Sequence, residues 1–240
     1  RYVRYPSVNE GHFWMGDTNY RFATIPWESF TRYVDVRAEQ KFNHVRGLLL
    51  GWEESAQKVL ADPDLPLLEH FRELDRRIAY LNSRGVIYDV LLAGDRNQLV
   101  ELLPDRKQRE RYVRYVCARY AAFNVTWQGV QEYEEYPDGR KILKEVYDTV
   151  RKWDPYDHPR STHAVDTSSM LIEDGWMTYI VQQNSTPSLA AIDYQLHPMP
   201  VVNSELGYEN SGAGASHDHH VSSDEFRRRY VLAREFPLPA

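Results

Sequence analysis

The 240-residue sequence predicts an α/β fold, a (β/α)8 or TIM barrel, on three observations. Short apolar strands alternate with amphipathic helical stretches nearly from end to end, the rhythm that βα units and a parallel sheet produce. The length suits one such barrel, which takes roughly 250 residues, so a single domain over 1–240 is the simplest organisation. The rival architecture, an open doubly wound sheet, normally carries a glycine-rich phosphate turn after an early strand, and the sequence has none.

The elements are expected in chain order. A first strand at Phe13–Gly16 ends at Asp17 and is followed by a helix over Ser29–Lys41. A second strand spans Asn43–Leu50. The Pro- and Asp-rich loop Ala61–Pro66 leads to a helix over Leu68–Arg84 that Gly85 caps. The third strand is Val86–Leu92, and the next helix runs about Asp105–Ala122. Asn124–Gly129 is the fourth strand, Tyr133–Gly139 a polar loop, and Lys141–Trp153 a helix stopped by Pro155. Strand five is Arg160–Val165, strand six Trp176–Gln182 and strand seven Pro200–Ser204. A short helix, Ser188–Gln195, separates the last two. A Gly/Ser/His loop, Ser211–His220, then precedes a final helix, Asp224–Phe236. Seven strands are one short of a closed barrel. The eighth is expected beyond Ala240 or to be absent, so the domain reads as incomplete at its C-terminus.

Composition narrows the function classes. No run of about 18 apolar residues exists, so no membrane partner is expected. A net charge of −6 argues against a nucleic-acid partner, whose phosphates demand clustered Lys and Arg. The run Arg227-Arg228-Arg229 falls in a helical pattern and reads as a solvated face. The single cysteine, Cys117, forms no intrachain disulfide and reads as a small buried hydrophobe. The chain starts at Arg1 without a signal peptide, leaving room for an upstream leader. Neither compartment nor oligomeric state is legible.

A parallel barrel builds its active site at the C-terminal ends of its strands. The polar residues expected there are Asp17 after strand one, His44 and Arg46 in strand two, and Gln131 and Glu132 after strand four. His163 and Asp166 belong to strand five, Gln182 and Gln183 to strand six, and Glu205, Tyr208 and Glu209 to strand seven. Two carboxylates at the ends of strands four and seven lie across one mouth. Cleavage of a glycosidic bond needs such a pair, one protonated to help the leaving oxygen depart and one ionised to attack or to activate water. Trp14, Trp52 and Trp127 are candidate sugar platforms, although Trp127 also reads as packing beneath the acid/base.

Several stretches resemble a bacterial family of cellulase-like barrel hydrolases that includes apiosidase. Phe13-Trp14-Met15-Gly16-Asp17-Thr18 resembles its opening strand, and Asn43-His44-Val45-Arg46 its second. Arg119 to Trp127 resembles an "R-Y-x-x-x-N-V-x-W" element. His158 to His163 is similar to its fifth strand, and Pro200 to Glu209 to its "P-V-x-x-x-E-x-x-Y-E" motif. The resemblance runs from about Tyr5 to Phe236 and implies a retaining glycosidase with Glu132 as acid/base and Glu205 as nucleophile. Where the family reads "W-E-L-G-N-E", this chain reads Trp127-Gln128-Gly129-Val130-Gln131-Glu132, so Gln131 replaces an asparagine that contacts the sugar 2-hydroxyl. Some members carry Asp at the Glu132 position. Substrate contacts are expected from Asp17, Trp14, Arg46, Gln131, His163, Tyr208, Glu209 and Trp52. The resemblance also implies a carbohydrate substrate, a secreted or periplasmic home, and an accessory β-domain in the full-length protein.

No cofactor or metal is expected. A metal-dependent hydrolase remains a rival because of His217-Asp218-His219-His220, although that cluster sits in a Gly/Ser/Ala-rich loop rather than at strand ends. A barrel that binds sugar without cleaving it is the other rival. The sequence does not say which sugar or linkage is recognised, or whether action is exo or endo.

Overall fold

The computed structural model describes residues 4–5, 10–209 and 221–234. The His217–His220 cluster and its loop lie outside them. Four parallel strands, β1 (Gly16–Thr18), β2 (His44–Leu48), β3 (Ile87–Leu91) and β4 (Val125–Trp127), pair in sequence order. Beyond β4 the curved sheet continues through single contacts. Trp127 N donates to Pro159 O at 2.9 Å, Ser161 N to Trp127 O at 2.8 Å, and Thr178 N to Arg160 O at 2.9 Å. The parallel pair β5 (Ile180–Gln182) and β6 (Val201–Asn203) completes the series. Seven barrel positions are thus occupied in chain order, and among the described residues no strand lies between β6 and β1. A small antiparallel pair, Arg4–Tyr5 with Glu10–Gly11, precedes them.

The helices between the strands are α1 (Trp27–Glu39), α2 (Glu53–Val59), α3 (Leu68–Ser83), α4 (Gln98–Leu102), α5 (Arg106–Tyr120), α6 (Gly139–Trp153), α7 (Pro187–Leu196) and α8 (Ser223–Arg234). Local chemistry sets their ends. Asp105 starts α5 with a capping box, accepting from Lys107 N while Gln108 accepts from Asp105 N. Gly85, at φ 75°, turns the chain after α3, a conformation that suits glycine. The short α2 and α4 were not expected. With seven and five residues they are too brief to show a 3.6-residue apolar period.

Alternation along the strands sorts side chains into two sets. Val45, Tyr88, Val90, Val125 and Trp127 face outward into the core shared with the helices, all essentially inaccessible to solvent. The intervening residues His44, Arg46, Asp89 and Thr126 face the lumen, which is therefore polar and hydrogen-bonded.

All seven strands are shorter than expected, and three depart from expectation for a visible reason. Strand one begins at Gly16, not Phe13, because Trp14 stacks on His44 at the foot of the barrel and Phe13 is half-exposed. Strand five reduces to one bridge at Arg160 with the Ser161 N bond to Trp127 O, and beyond these, side chains hold the segment in place of a ladder. Tyr147 donates to Ser161 O, and Thr162 Oγ1 donates to Val130 O at 3.1 Å. Strand six is confined to Ile180–Gln182, because Trp176 stacks on Tyr147 of α6 instead of joining the sheet.

Candidate active site

The C-terminal ends of the strands converge on one mouth, and Glu205 is the centre of its bonding. Tyr20 donates to Glu205 Oε1, Arg46 Nη2 donates to it at 2.8 Å, and Tyr208 donates at 2.8 Å. His163 Nε2 stands 3.6 Å from Oε2, an electrostatic contact longer than a hydrogen bond. Arg46 is itself anchored, its guanidinium donating to Ser204 Oγ at 2.6 Å, Thr18 Oγ1 at 3.1 Å and the Tyr20 hydroxyl at 3.2 Å. Both charges are almost wholly buried, so little water screens their attraction.

Burial by itself pushes the Glu205 carboxyl up. The contacts from His163, Arg46 and Tyr20 outweigh it and hold the group well below the usual carboxylate range. His163 is fully buried; burial and the Arg46 cation lower it to about 4, so it faces Glu205 as a neutral imidazole at pH 7. Tyr20 and Tyr208 are pushed up, chiefly by burial; at Tyr20 the opposing pull of Arg46 exceeds the push of the Glu205 charge but not that of burial, while at Tyr208 the Glu205 charge outweighs Arg46, so both remain phenolic donors.

Glu132 lies just beyond β4, at the turn into a single 3-10 turn over Tyr133–Glu135. Its backbone is left-handed, at φ 45° and ψ 60°, a sparsely populated state for a residue with a side chain. Oε1 accepts a 2.9 Å bond from Gln183 Nε2, beyond β5. The carboxyl is half-buried and pushed up. Burial is the largest cause, the Gln183 bond opposes it, and the charges of Glu135, Asp95 and, least, Glu205 add to it.

The other expected residues divide. Trp52, 40% exposed at the start of α2, packs its ring 5.4 Å from that of Tyr20 and belongs to the mouth. Gln131 is buried directly before Glu132, its backbone N–H bonded to Ala93 O. Trp127 is fully buried beneath the mouth, with Nε1 donating to Asp154 at 3.0 Å, so it packs and does not present a platform. Glu209 is exposed and accepts from Ser223 at the start of α8. Two expectations are corrected. Asp17 points away from the lumen because it alternates with the inward Gly16 and Thr18. Its carboxylate is occupied by Tyr33 and Arg37 of α1 and by Thr18 N. Trp14 lies at the opposite, N-terminal end of the barrel, stacked 3.6 Å from the His44 ring and near Tyr179. There it covers a buried chain in which His12 contacts His44 Nε2 at 2.8 Å and His44 Nδ1 meets Asp89 at 2.7 Å.

Tyr20, Asp95, Glu135 and Gln183 were not assigned roles from the sequence. Tyr20 had a signal, since Gly16, Thr18 and Tyr20 keep one alternating phase. Asp95, Glu132 and Glu135 bring carboxylate oxygens within 4.8 Å of one another, the donor type a hard cation prefers. Two of the three already accept bonds, Glu132 from Gln183 and Glu135 from Arg96 N at 3.1 Å.

Fold and strand-end residues together define the class: a (β/α)8 barrel with two carboxyls, Glu132 and Glu205, at its polar mouth, the kind of residues glycoside hydrolases use. The chain belongs to the family of apiosidase-like catalytic domains, whose model matches residues 1–233. Among solved structures it is similar to a glycoside hydrolase family 5 protein from Bacteroides vulgatus, at 16% identity and a TM-score of 0.82 over 98% of this chain and 58% of that one. The endo-1,4-β-D-mannanase of Thermotoga petrophila aligns at 13% identity and a TM-score of 0.72, covering 92% and 85%. The exo-β-1,4-mannosidase Op5Man5 of an Opitutaceae bacterium aligns at 15% identity and 0.67, covering 98% and 52%. At such identities the likeness establishes the barrel fold. The chain spans 58% of the Bacteroides protein's length. Among curated protein sequences none matches it. Among the described residues no helix is long and apolar enough to cross a membrane.

Proposed function

We propose that this barrel cleaves a glycosidic bond in a poly- or oligosaccharide by double displacement, with Glu205 as nucleophile and Glu132 as acid/base. The observation that carries the reading is the opposite environments of the two strand-end carboxyls. Glu205 is held ionised by buried donors, while Glu132 is pushed toward its protonated form by burial and neighbouring carboxylates. Pairs of acids whose surroundings separate their titrations divide into nucleophile and proton donor.

In the first step a Glu205 oxygen bonds to the anomeric carbon, the bond to the leaving oxygen breaks, and Glu132 gives that oxygen its proton. In the second step Glu132 takes a proton from water, the water oxygen bonds to the anomeric carbon, and the Glu205 ester is released. Arg46, Tyr20 and Tyr208 fix the nucleophile's orientation and retain its charge until the attack. Trp52 and Tyr20 offer aromatic surface beside the reacting carbon. The apiosidase-like membership and the fold shared with mannan-cleaving enzymes support a carbohydrate substrate.

The test is trapping with activated 2-fluoro glycosides of several sugars. A covalent sugar adduct on the peptide containing Glu205, with azide restoring turnover to Glu132→Ala on an aryl glycoside, is the expected result. Hydrolysis with no adduct and with inversion at the anomeric carbon would overturn the retaining mechanism. Sugar binding with no turnover would favour a binding barrel.

A further inference from the structure

Glu132 must be an acid in one step and a base in the next, so its surroundings have to favour neither state outright. The structure places two opposed influences on it. Gln183 is 99% buried, its backbone N–H is fixed to Asp166 O at 2.9 Å, and its side-chain amide donates to Glu132 Oε1 at 2.9 Å. An N–H donor bonded to a carboxyl oxygen stabilises the charged form. On the other side Asp95, after β3, and Glu135, in the turn beyond Glu132, have oxygens within 4.8 Å of the Glu132 carboxyl and of each other. Like charges at that range disfavour ionisation.

We propose that Gln183 is a positioning residue for Glu132: its amide fixes the carboxyl orientation and favours the proton-accepting state, while the Asp95–Glu135 pair favours the proton-donating state. This inference rests on the reading of Glu132 as acid/base. The other groups facing Glu132 do not replace either influence. Glu134, in the same turn, is held by Val165 N; Glu205 and Tyr208 come from beyond β6; and Glu205 acts on Glu132 less than Glu135 or Asp95 does. Arg96 stands 3.9 Å from Asp95 on an exposed side chain and screens the pair only partly. The left-handed backbone at Glu132 places its side chain between the two influences, a geometry held against local preference.

The experiment is a carbon-13 titration of the Glu132 carboxyl in protein labelled at glutamate, with the resonance assigned by its loss in Glu132→Gln. In Gln183→Leu the midpoint moves up. In Asp95→Asn and Glu135→Gln it moves down. The basic limb of the kcat/KM profile on an aryl glycoside moves in the same directions, a response that loss of packing alone does not give. If Gln183→Leu does not fold, Gln183→Asn, which withdraws the amide by one methylene, carries the same expectation. An unmoved midpoint in the Gln183 variants, or movement of both sets in one direction, overturns the proposal. Midpoints that move as expected while Glu132→Gln retains full activity would leave the tuning intact and refute the acid/base role instead.

Discussion

At the scale of single residues the site depends most on the buried Arg46–Glu205 contact. Replacing the guanidinium with an apolar chain of similar length, Arg46→Met, leaves Glu205 with its tyrosine donors but no cation. On the proposed mechanism Glu205 must be ionised, so its titration sets the acidic limb of kcat/KM. Arg46 helps hold that titration low, so its removal raises the limb and activity at pH 5 is lost before activity at pH 8. At neutral pH kcat/KM falls by on the order of 10²-fold, and stability drops by about 3–5 kcal/mol as a buried charge loses its partner. An acidic limb unchanged in Arg46→Met would remove Arg46 from this role. Most of the residues around Glu205 were legible in the sequence because barrel logic places function at strand ends. Arg46, His163 and Tyr208, which contact Glu205, were expected at strand ends that way. Asp17 and Trp14 were not placed correctly, because a short strand's inward phase depends on which residue begins the pairing. Gly16 begins it, two residues after Trp14.

At the scale of elements, β4 links the mouth to the helical layer. Its last residue, Trp127, is bonded through both its N–H and its C=O to the Pro159–Ser161 segment, and its indole reaches Asp154 at the end of α6. Burial raises Asp154, but the His158 and Trp127 donors outweigh it and bring its titration down to about 2. A carboxyl lowered on folding stabilises the native state above its unfolded value near 3.9 and loses that contribution as pH falls toward 2. Trp127→Phe removes one donor to that carboxyl. The expected destabilisation is about 1–3 kcal/mol at pH 7, read as a lower urea midpoint, and it narrows as the comparison is repeated toward pH 3. A difference constant with pH would mean that lost ring packing, not the bond to Asp154, carries the effect. The longer helices were legible because their apolar period and caps are local properties. The strands were less so: three-residue strands such as β1, β4, β5 and β6 are defined by pairing partners far away in the chain. Propensity alone extends them over flanking apolar residues.

At the scale of the whole molecule, the order of strands tracks the order of the chain, so β6 returns beside β1 after nearly the full circuit. Among the described residues the contacts across that seam are side-chain contacts. Arg46 bonds Ser204 and Glu205, and Tyr20 bonds Glu205. The groups that set the charge of Glu205 therefore also hold the two sides of the seam together. The overall architecture could be read from the sequence because seven βα units announce it. The Tyr20 side of the seam could not, because nothing local in Tyr20 indicates a partner near residue 205.

That arrangement has a kinetic consequence. Tyr20 and Glu205 are 185 residues apart, and Arg46 and Glu205 are 159 apart. Contacts of such separation are entropically slow to close, whereas helices and adjacent βα units form from near neighbours. On dilution from denaturant, far-ultraviolet circular dichroism is expected to recover before hydrolytic activity, with a delay that lengthens in Arg46→Met; simultaneous recovery in both proteins would refute it. On the proposed function, hydrolysis then becomes the last property the polypeptide gains, and a chain caught partway through folding can hold its helices without yet being able to cut.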